Sequence, residues 1–408
     1  MAVIIKFDND IEEILADRVI RKRGVPNYTE YLIKWKGQSD SEASWEREDS
    51  YGSSLTKPNT TRRKLIYPSY SVVPIAETSV SCIPKGQRNV ESENDICDEC
   101  KDLLKSLPRE KGWPFPDIHL YQDIWYAPFN IQGIRSFQKH LKAKDNDIVI
   151  ATLPKSGTTW LKALIFAIAS RKHFSPSQRN HPLLTHNSHE LVPFIELNYC
   201  ANNQIPDLSN MPEPRLFGTH VPFHSLPDSI TKSKCRVIYM RRNPFDQFVS
   251  LWLFLKKLSP PSLPKISCEE AFEKYCNGIN EVGPFWTHML GYWRESKETP
   301  NKVLFLKYED LKGDIKLYLK RAAEFLECPF TSEEESNGVI ESIIELCSFE
   351  KMKELEVNKS GKFLKQYENR DLFRKGEVGD WVNHFSPWMV EKLSKVIEEK
   401  LARSDLSF

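Results

Sequence analysis

No stretch of the chain is apolar for long enough to span a bilayer; the longest apolar run, within residues 160–170, is interrupted by Lys162. No secretory signal is expected either, because MAVIIKFDNDIEE turns acidic after a handful of apolar residues. Neither sign of charge dominates. The 57 Lys and Arg nearly balance 56 Asp and Glu, and a formal net charge of +1 argues against a nucleic-acid protein held by bulk electrostatics. The nine cysteines form no disulfide framework, and an odd number suits a reducing compartment. Cys97 and Cys100 make one Cys-x-x-Cys pair with no second pair at zinc spacing. They open an amphipathic stretch (Ile96, Leu103, Leu104, Leu107), so two reduced thiols near a helix start are expected there. Internal repeats and coiled-coil heptads are also lacking. Together these absences predict a soluble, cytoplasmic protein with no membrane partner.

What is there falls into three regions. A chain of 408 residues exceeds what one core usually covers, so two domains are expected. Residues 1–50 alternate as strands do: TEYLIKW places Tyr31, Ile33 and Trp35 on one face, after a turn at residues 24–27. Residues 51–94 are rich in Ser, Thr, Pro and Lys and read as a flexible linker. Residues 95–408 form the main domain. There IVIAT, RVIYM and VLFLKY read as short strands, each leading into a helical pattern. That alternation predicts an α/β fold with a central parallel sheet flanked by helices. The C-terminal SPWMVEKLSKVIEEKLA reads as a surface helix.

The chemistry concentrates in DIVIATLPKSGTTW (147–160). An apolar, β-branched strand stops at Pro154, and a tight turn feeds a helix. The first turn of a helix leaves N–H groups unpaired, and its dipole adds partial positive charge, so this is an anion-binding device. Gly157 lets the backbone approach a phosphate, Lys155 adds full charge, and Thr158 and Thr159 add hydroxyl donors. The spacing is not that of a nucleotide P-loop, Gly-x-x-x-x-Gly-Lys-Ser/Thr.

PKSGTTW resembles the 5′-phosphosulfate loop of cytosolic sulfotransferases, which use 3′-phosphoadenosine 5′-phosphosulfate (PAPS). Three further segments match that family in order. RLFGTHVPFHSLP (215–227) is similar to the segment carrying the catalytic His, CRVIYMRRNPFDQFVSLW (235–252) to the 3′-phosphate segment, and RKGEVGDW (374–381) to the C-terminal nucleotide-binding loop. The resemblance runs from about Asp95 to Phe408. Its details (GWPFP, SFQKHLKAKDND, ANNQIPDLS, EVGPFWTHMLGYW, KVLFLKYEDLK, DLSF) are closest to the plant-type soluble members.

The resemblance implies a sulfotransferase fold with a P-loop-like phosphosulfate loop, and PAPS as co-substrate. It assigns Lys155, Ser156, Gly157, Thr158, Thr159 and Trp160 to the phosphosulfate end. Lys155 is expected on the oxygen bridging phosphate and sulfur, where charge builds as the bond breaks. Trp160 offers adenine a flat face, or packs in the core. Arg242 and Ser250 map onto the 3′-phosphate ligands, with Arg374, Lys375 and Gly376 over the same phosphate. Gly379, Asp380 and Trp381 are expected to shape that loop. Tyr308 matches an adenine contact, or is a strand-end Tyr bonded to backbone. Arg241 stands where a small residue is more usual, and its role is open. His220 is the expected base that takes the acceptor hydroxyl's proton; His224, on the same segment, is not. Some sulfotransferases carry a Lys two positions before this His. Here that position is Gly218, as in the plant-type members. No metal is required, since Lys155 and the helix dipole supply positive charge.

The acceptor is expected to be a small hydroxylated molecule in a pocket near residues 113–125, 181–194, 254–266 and 359–373. His181, His186 and His189 read as a loop over it. Phe115, Trp125 and Phe254 point to a flat or apolar acceptor. Flavonoids, steroids, hydroxyjasmonates and desulfoglucosinolates stay open, with flavonoids ahead on family grounds. The animal dimerisation pattern is not met between Lys392 and Ile397, so a monomer is expected.

Within residues 1–50, IEEILADRVIRKRGVPNYTEYLIKWKGQSDSEASWERED resembles a chromodomain. The closing helix of that fold is not expected, because YGSSLTKPNTTRRK has no helical periodicity. Chromodomains hold methyl-lysine in an aromatic cage. The pattern puts Trp35 at one cage position and the other two near Asn9 and Gln38, which are not aromatic; Trp45 falls in the SWERED turn. Histone-tail and nucleic-acid partners are therefore not expected. The alternative reading is a chromatin or methyl-lysine binding module with a catalytically silent PAPS-binding domain. Every mapped cofactor and catalytic position is filled, which favours the enzyme.

Overall fold

A computed structural model describes residues 11–20, 28–35, 44–47, 96–200, 208–209, 211–259, 265–363 and 367–408. The expected linker at 51–94, the turn at 24–27, the segment after residue 50, and Asn9 and Gln38 lie outside the described residues. The chain divides into two units, Met1–Ser71 and Val72–Phe408.

In the first unit β1 (Ile11–Ile20), β2 (Tyr28–Trp35) and β3 (Ser44–Arg47) form an antiparallel meander in that order. Trp45 was expected in a turn. It lies instead within β3, paired with Leu32 of β2.

Among the described residues of the second unit the first element is the helix Asp98–Ser106, whose N-cap is Cys97; Cys97 and Cys100 are both free thiols. A small antiparallel sheet follows: β4 (Arg109–Lys111), β5 (Asp117–Tyr121) and β6 (Ile124–Tyr126). The central sheet contains β7 (Ile148–Thr152), β8 (Leu216–Thr219), β9 (Arg236–Arg241) and β10 (Val303–Lys307). Its order is β10-β9-β7-β8, and every pairing is parallel. A parallel bridge between Phe194 and Gly218 extends the β8 edge.

The apolar runs are continuous because both faces of this sheet are covered. Alternate residues feed two cores. Val149, Ala151, Phe217, Val237, Tyr239, Val303 and Phe305 point to one; Ile148, Ile150, Leu216, Ile238, Met240, Leu304 and Leu306 point to the other. The first core is closed by helices including Pro128–His140, Pro244–Leu258, Phe285–Glu298 and Pro387–Leu401, and the second by Thr158–Ser170 and Ile315–Phe325. The chain leaves β7 and lays β8 on one side and β9 on the other. Ligands of open parallel sheets bind where the strand order reverses in this way, beyond the carboxyl ends of the strands.

Candidate active site

The turn after β7 is built for close approach. Lys155 takes φ +68° and Gly157 takes φ +90°, both in the left-handed region that glycine adopts without penalty. A Cβ on Gly157 would also meet Tyr308 Cδ2 at 2.7 Å and Met240 Cε at 2.8 Å. The glycine is thus needed for packing as much as for an incoming anion. Gly157 caps the helix Thr158–Ser170 without a side-chain acceptor, so its first-turn donors are left for a ligand. The helix Pro244–Leu258, by contrast, is capped by the Asn243 side chain accepting from Phe245 N at 3.0 Å.

Lys155 has its Nζ 3.9 Å over the Phe254 ring. Burial, reinforced by the charges of Arg242 and Arg374, pushes its ammonium down to about 7. Arg242 Nη2 donates to Glu377 O at 2.7 Å, and its guanidinium stacks 4.8 Å from the Tyr308 ring. Arg374 and Lys375 both donate to Asp380, Lys375 at 2.5 Å. Burial opposes ionisation of Asp380, but the hydrogen bonds from Lys375, Arg374 and Asn383 outweigh it and hold the carboxyl well below the usual range. The buried Asp246 accepts from Gly379 N at 2.7 Å and from Trp381 N at 3.1 Å, tying this loop to the helix Pro244–Leu258. Three buried donors of the group lack protein partners: Ser156 Oγ, Arg242 Nε and Arg374 Nε. Unsatisfied buried donors beside a cationic cluster fit a phosphorylated ligand.

Arg241 has a structural explanation. Its Nη1 donates to Glu309 at 2.9 Å, and its guanidinium covers the Phe408 ring at 4.4 Å. Tyr308 opens a short helix rather than ending a strand, and its hydroxyl donates to Gly376 O at 3.1 Å. Trp160 meets the Tyr308 ring edge-on, with centroids 5.5 Å apart.

His220 follows β8. A carbonyl only accepts, so the 2.7 Å contact to Thr152 O places the ring hydrogen on Nδ1 and leaves Nε2 with a lone pair. The His220 N–H donates to Glu196 Oε1 at 2.8 Å, and His220 O accepts from His288 Nε2 at 3.0 Å. Burial pushes the imidazole down to about 3 despite the Thr152 hydrogen bond, with Lys162, His288 and Lys155 adding to the effect. The ring is therefore neutral at working pH. The Phe194 ring lies 4.5 Å from it.

One cavity of about 420 Å³ gathers these groups. Lys155, Gly157, Thr158, Thr159, Trp160, His220, Arg242, Ser250, Tyr308, Arg374, Lys375 and Gly376 all line it; Ser156 sits buried in the same loop. Phe115, Phe129, Phe194, Phe254 and Phe363 supply an apolar wall, whereas Trp125 is not part of the lining. Of the three histidines expected over the acceptor, only His189 lines the cavity. His181 is buried against Phe166 and Phe174 and accepts from Leu183 N at 3.2 Å, a packing role. His224 donates to Gln122 O at 2.9 Å, away from the cavity. Among the described residues no group of His, Cys, Asp or Glu is arranged to hold a metal ion.

Sequence reasoning missed Glu196, Asp246 and Lys162 as parts of this site. Only Lys162 left a signal, as a lone charge inside an apolar helix.

A sulfotransferase-domain model matches residues 145–405, and a chromo (chromatin organisation modifier) domain model matches residues 9–52. Cytosolic sulfotransferase 15 of Arabidopsis thaliana is 52% identical over 328 residues, covering 80% of this chain and 90% of the relative. Cytosolic sulfotransferase 14 of the same plant is 50% identical over 330 residues, covering 80% and 95%. A crystal structure of an Arabidopsis thaliana sulphotransferase superposes with TM-score 0.62 at 42% identity, covering 78% of this chain and 98% of that one. A mouse sulfotransferase complexed with PAP superposes with TM-score 0.57 at 25% identity, covering 71% and 95%. A matching family model over most of the second unit, and relatives half identical along nearly their whole length, make this chain a member of the plant-type cytosolic sulfotransferase family, with a chromodomain-like segment at its N-terminus.

Proposed function

We propose that the chain transfers a sulfuryl group from PAPS to a hydroxyl of a small, flat or apolar acceptor, with His220 as the base. The observation that carries this reading is the His220–Thr152 hydrogen bond, which leaves Nε2 as a proton acceptor on a residue lining the same cavity as Lys155 and Thr159. PAPS supplies the activated sulfuryl group. As the acceptor oxygen bonds to sulfur, its proton passes to His220 Nε2. The bond from sulfur to the bridging oxygen breaks, and the charge left on that oxygen is met by Lys155, aided by Thr158, Thr159 and the free N–H groups of the helix end. Positioned proton transfer of this kind contributes ~100- to 10,000-fold.

Arg242, Ser250, Arg374, Lys375 and Gly376 hold the 3′-phosphate, with Ser156 in the phosphosulfate loop and Trp160 and Tyr308 beside adenine. No metal takes part. The acceptor lies against Phe115, Phe129, Phe194 and Phe254, and flavonoids lead over steroids and hydroxyjasmonates. The enzyme acts as a cytoplasmic monomer, with its catalytic unit in residues 95–408, a linker at 51–94 and an incomplete chromodomain-like segment at 1–50. The alternative, a chromatin reader with a silent PAPS-binding domain, is not favoured: the chromo-domain match covers residues 9–52 alone, and the expected catalytic and co-substrate residues gather in one cavity.

Radiolabelled sulfate transfer to a panel of flavonols, steroids and hydroxyjasmonate tests the reading. Transfer to at least one hydroxylated acceptor, unaffected by a chelator, is expected. Tight PAP binding with no transfer to any of them would overturn it.

A further inference from the structure

Lys162 is fully buried, one turn into the helix that starts at the phosphosulfate loop. No carboxylate lies within ion-pair distance of it among the described residues; burial pushes its ammonium well below the usual lysine range, and only the field of Glu196 favours the charged form. Its Nζ sits 3.1 Å from His189 Nδ1 and 3.1 Å over the Phe194 ring. His189 is itself buried, stacked between Phe194 at 5.2 Å and Phe363 at 4.5 Å, and its Nε2 lies 3.0 Å from Thr159 Oγ1. Thr159 lines the cavity. A buried amine without a counter-ion is expensive and calls for a compensating use.

Gly218 makes the room. A Cβ there would lie 2.3 Å from Lys162 Nζ and 2.4 Å from Cε. Strand β8 therefore gives up its side chain two residues before His220, and an amine from the facing helix fills the space.

Hydrogen-bond direction along this chain follows from the chemistry of the groups. While Lys162 keeps its proton it only donates, and His189 Nδ1 then accepts. Burial, the largest effect, together with the nearby amines of Lys162 and Lys155 holds the His189 imidazole neutral, so with Nδ1 accepting its single hydrogen is on Nε2 and is donated to Thr159 Oγ1. The Thr159 hydroxyl hydrogen is then turned away from His189 and is free for an anion. With Lys162 uncharged and accepting, the whole chain reverses and Thr159 points its hydrogen at His189.

We infer that, with the anionic co-substrate in the cavity holding the proton on Lys162, Lys162 and His189 form a proton-ordering relay that keeps the Thr159 hydroxyl as a donor toward the transferred sulfuryl group, with Lys162 as a positioning residue. The inference rests on the PAPS reading of the cavity. A donor aimed at charge that develops during reaction affects turnover more than resting affinity.

The test uses the full chain. Lys162→Met, similar in length but unable to donate, is expected to lower kcat by roughly 10- to 100-fold, below the ~100- to 1,000-fold lost on removing such a donor outright, because Thr159 keeps its hydroxyl. Calorimetric PAP affinity is expected to stay within about threefold, and the melting temperature not to fall. Lys162→Ala is expected to lose turnover likewise, and Lys162→Ala with Gly218→Lys to recover roughly tenfold or more of it, because the amine re-enters the vacated space from β8. Nitrogen-15 NMR of the wild-type PAP complex is expected to show His189 protonated on Nε2. A Lys162→Met kcat within about twofold of wild type, or His189 protonated on Nδ1 in that complex, would overturn the relay. The NMR result decides alone if the variant does not fold. Wild-type transfer and PAP binding, measured alongside, test the PAPS reading separately.

Discussion

Lys155 carries the least settled charge in the cavity. Its pKa is lowered to about 7 by burial and by Arg242 and Arg374, so the empty site begins to lose this proton as pH rises through 7. A bound phosphate restores it. Binding below pH 7 finds the lysine already charged, whereas binding above pH 7 must take up a proton. PAP affinity is therefore expected to fall about tenfold between pH 7 and 8.5, with proton uptake visible when titration calorimetry is repeated in buffers of different ionisation enthalpy. Lys155→Met should bind more weakly throughout and lose this dependence; a wild-type affinity flat across the range would contradict the account. The residue types at this position, at Gly157 and at Arg242 were legible in the sequence, because strand, turn and helix lie in one short stretch. The reason for Gly157 was only half legible. Its clash with Tyr308 and Met240 joins residues far apart in the chain, and no local pattern encodes it.

Among the elements, the loop carrying Arg374 and Lys375 depends on a carboxylate that nothing in its own sequence announces. Asp246 accepts two of the loop's N–H groups from inside the helix Pro244–Leu258. Hydrogen bonds to a charged group contribute about 1.5–3 kcal/mol each. Asp246→Ala is thus expected to weaken PAP binding by roughly ten- to a hundredfold while leaving kcat at saturating PAPS within a few-fold of wild type. An unchanged affinity would mean that the loop is held elsewhere. Strands β7, β9 and β10 were legible as unbroken apolar runs, and their parallel pairing followed from the helices between them. β8 was not read as a strand: LFGT is short, and Gly218 gives it no β-branched signature. β3 was hidden for a similar reason, since SWER is charged and brief, and only its pairing with β2 makes it a strand.

At the scale of the whole molecule, the cavity assembles described residues from Phe115 to Gly376, all of them in the second unit. Sequence order alone brings Arg374 no nearer to Arg242; the family resemblance supplied that link, and the fold supplies the cavity. Lys162 and His189 stayed illegible as partners because burial and ring stacking are properties of the folded chain. A chain beginning at Asp95 is expected to transfer sulfate at a rate within about twofold of the full chain, since every described residue that lines the cavity lies between Phe115 and Gly376. Loss of turnover in a truncated chain that remains folded would give the N-terminal segment a catalytic role. The central claim is most directly tested by His220→Ala, assayed for sulfate transfer from PAPS and for PAP binding on the same preparation. The account predicts turnover lower by ~100- to 10,000-fold with PAP affinity close to wild type. Near wild-type turnover by His220→Ala would contradict it.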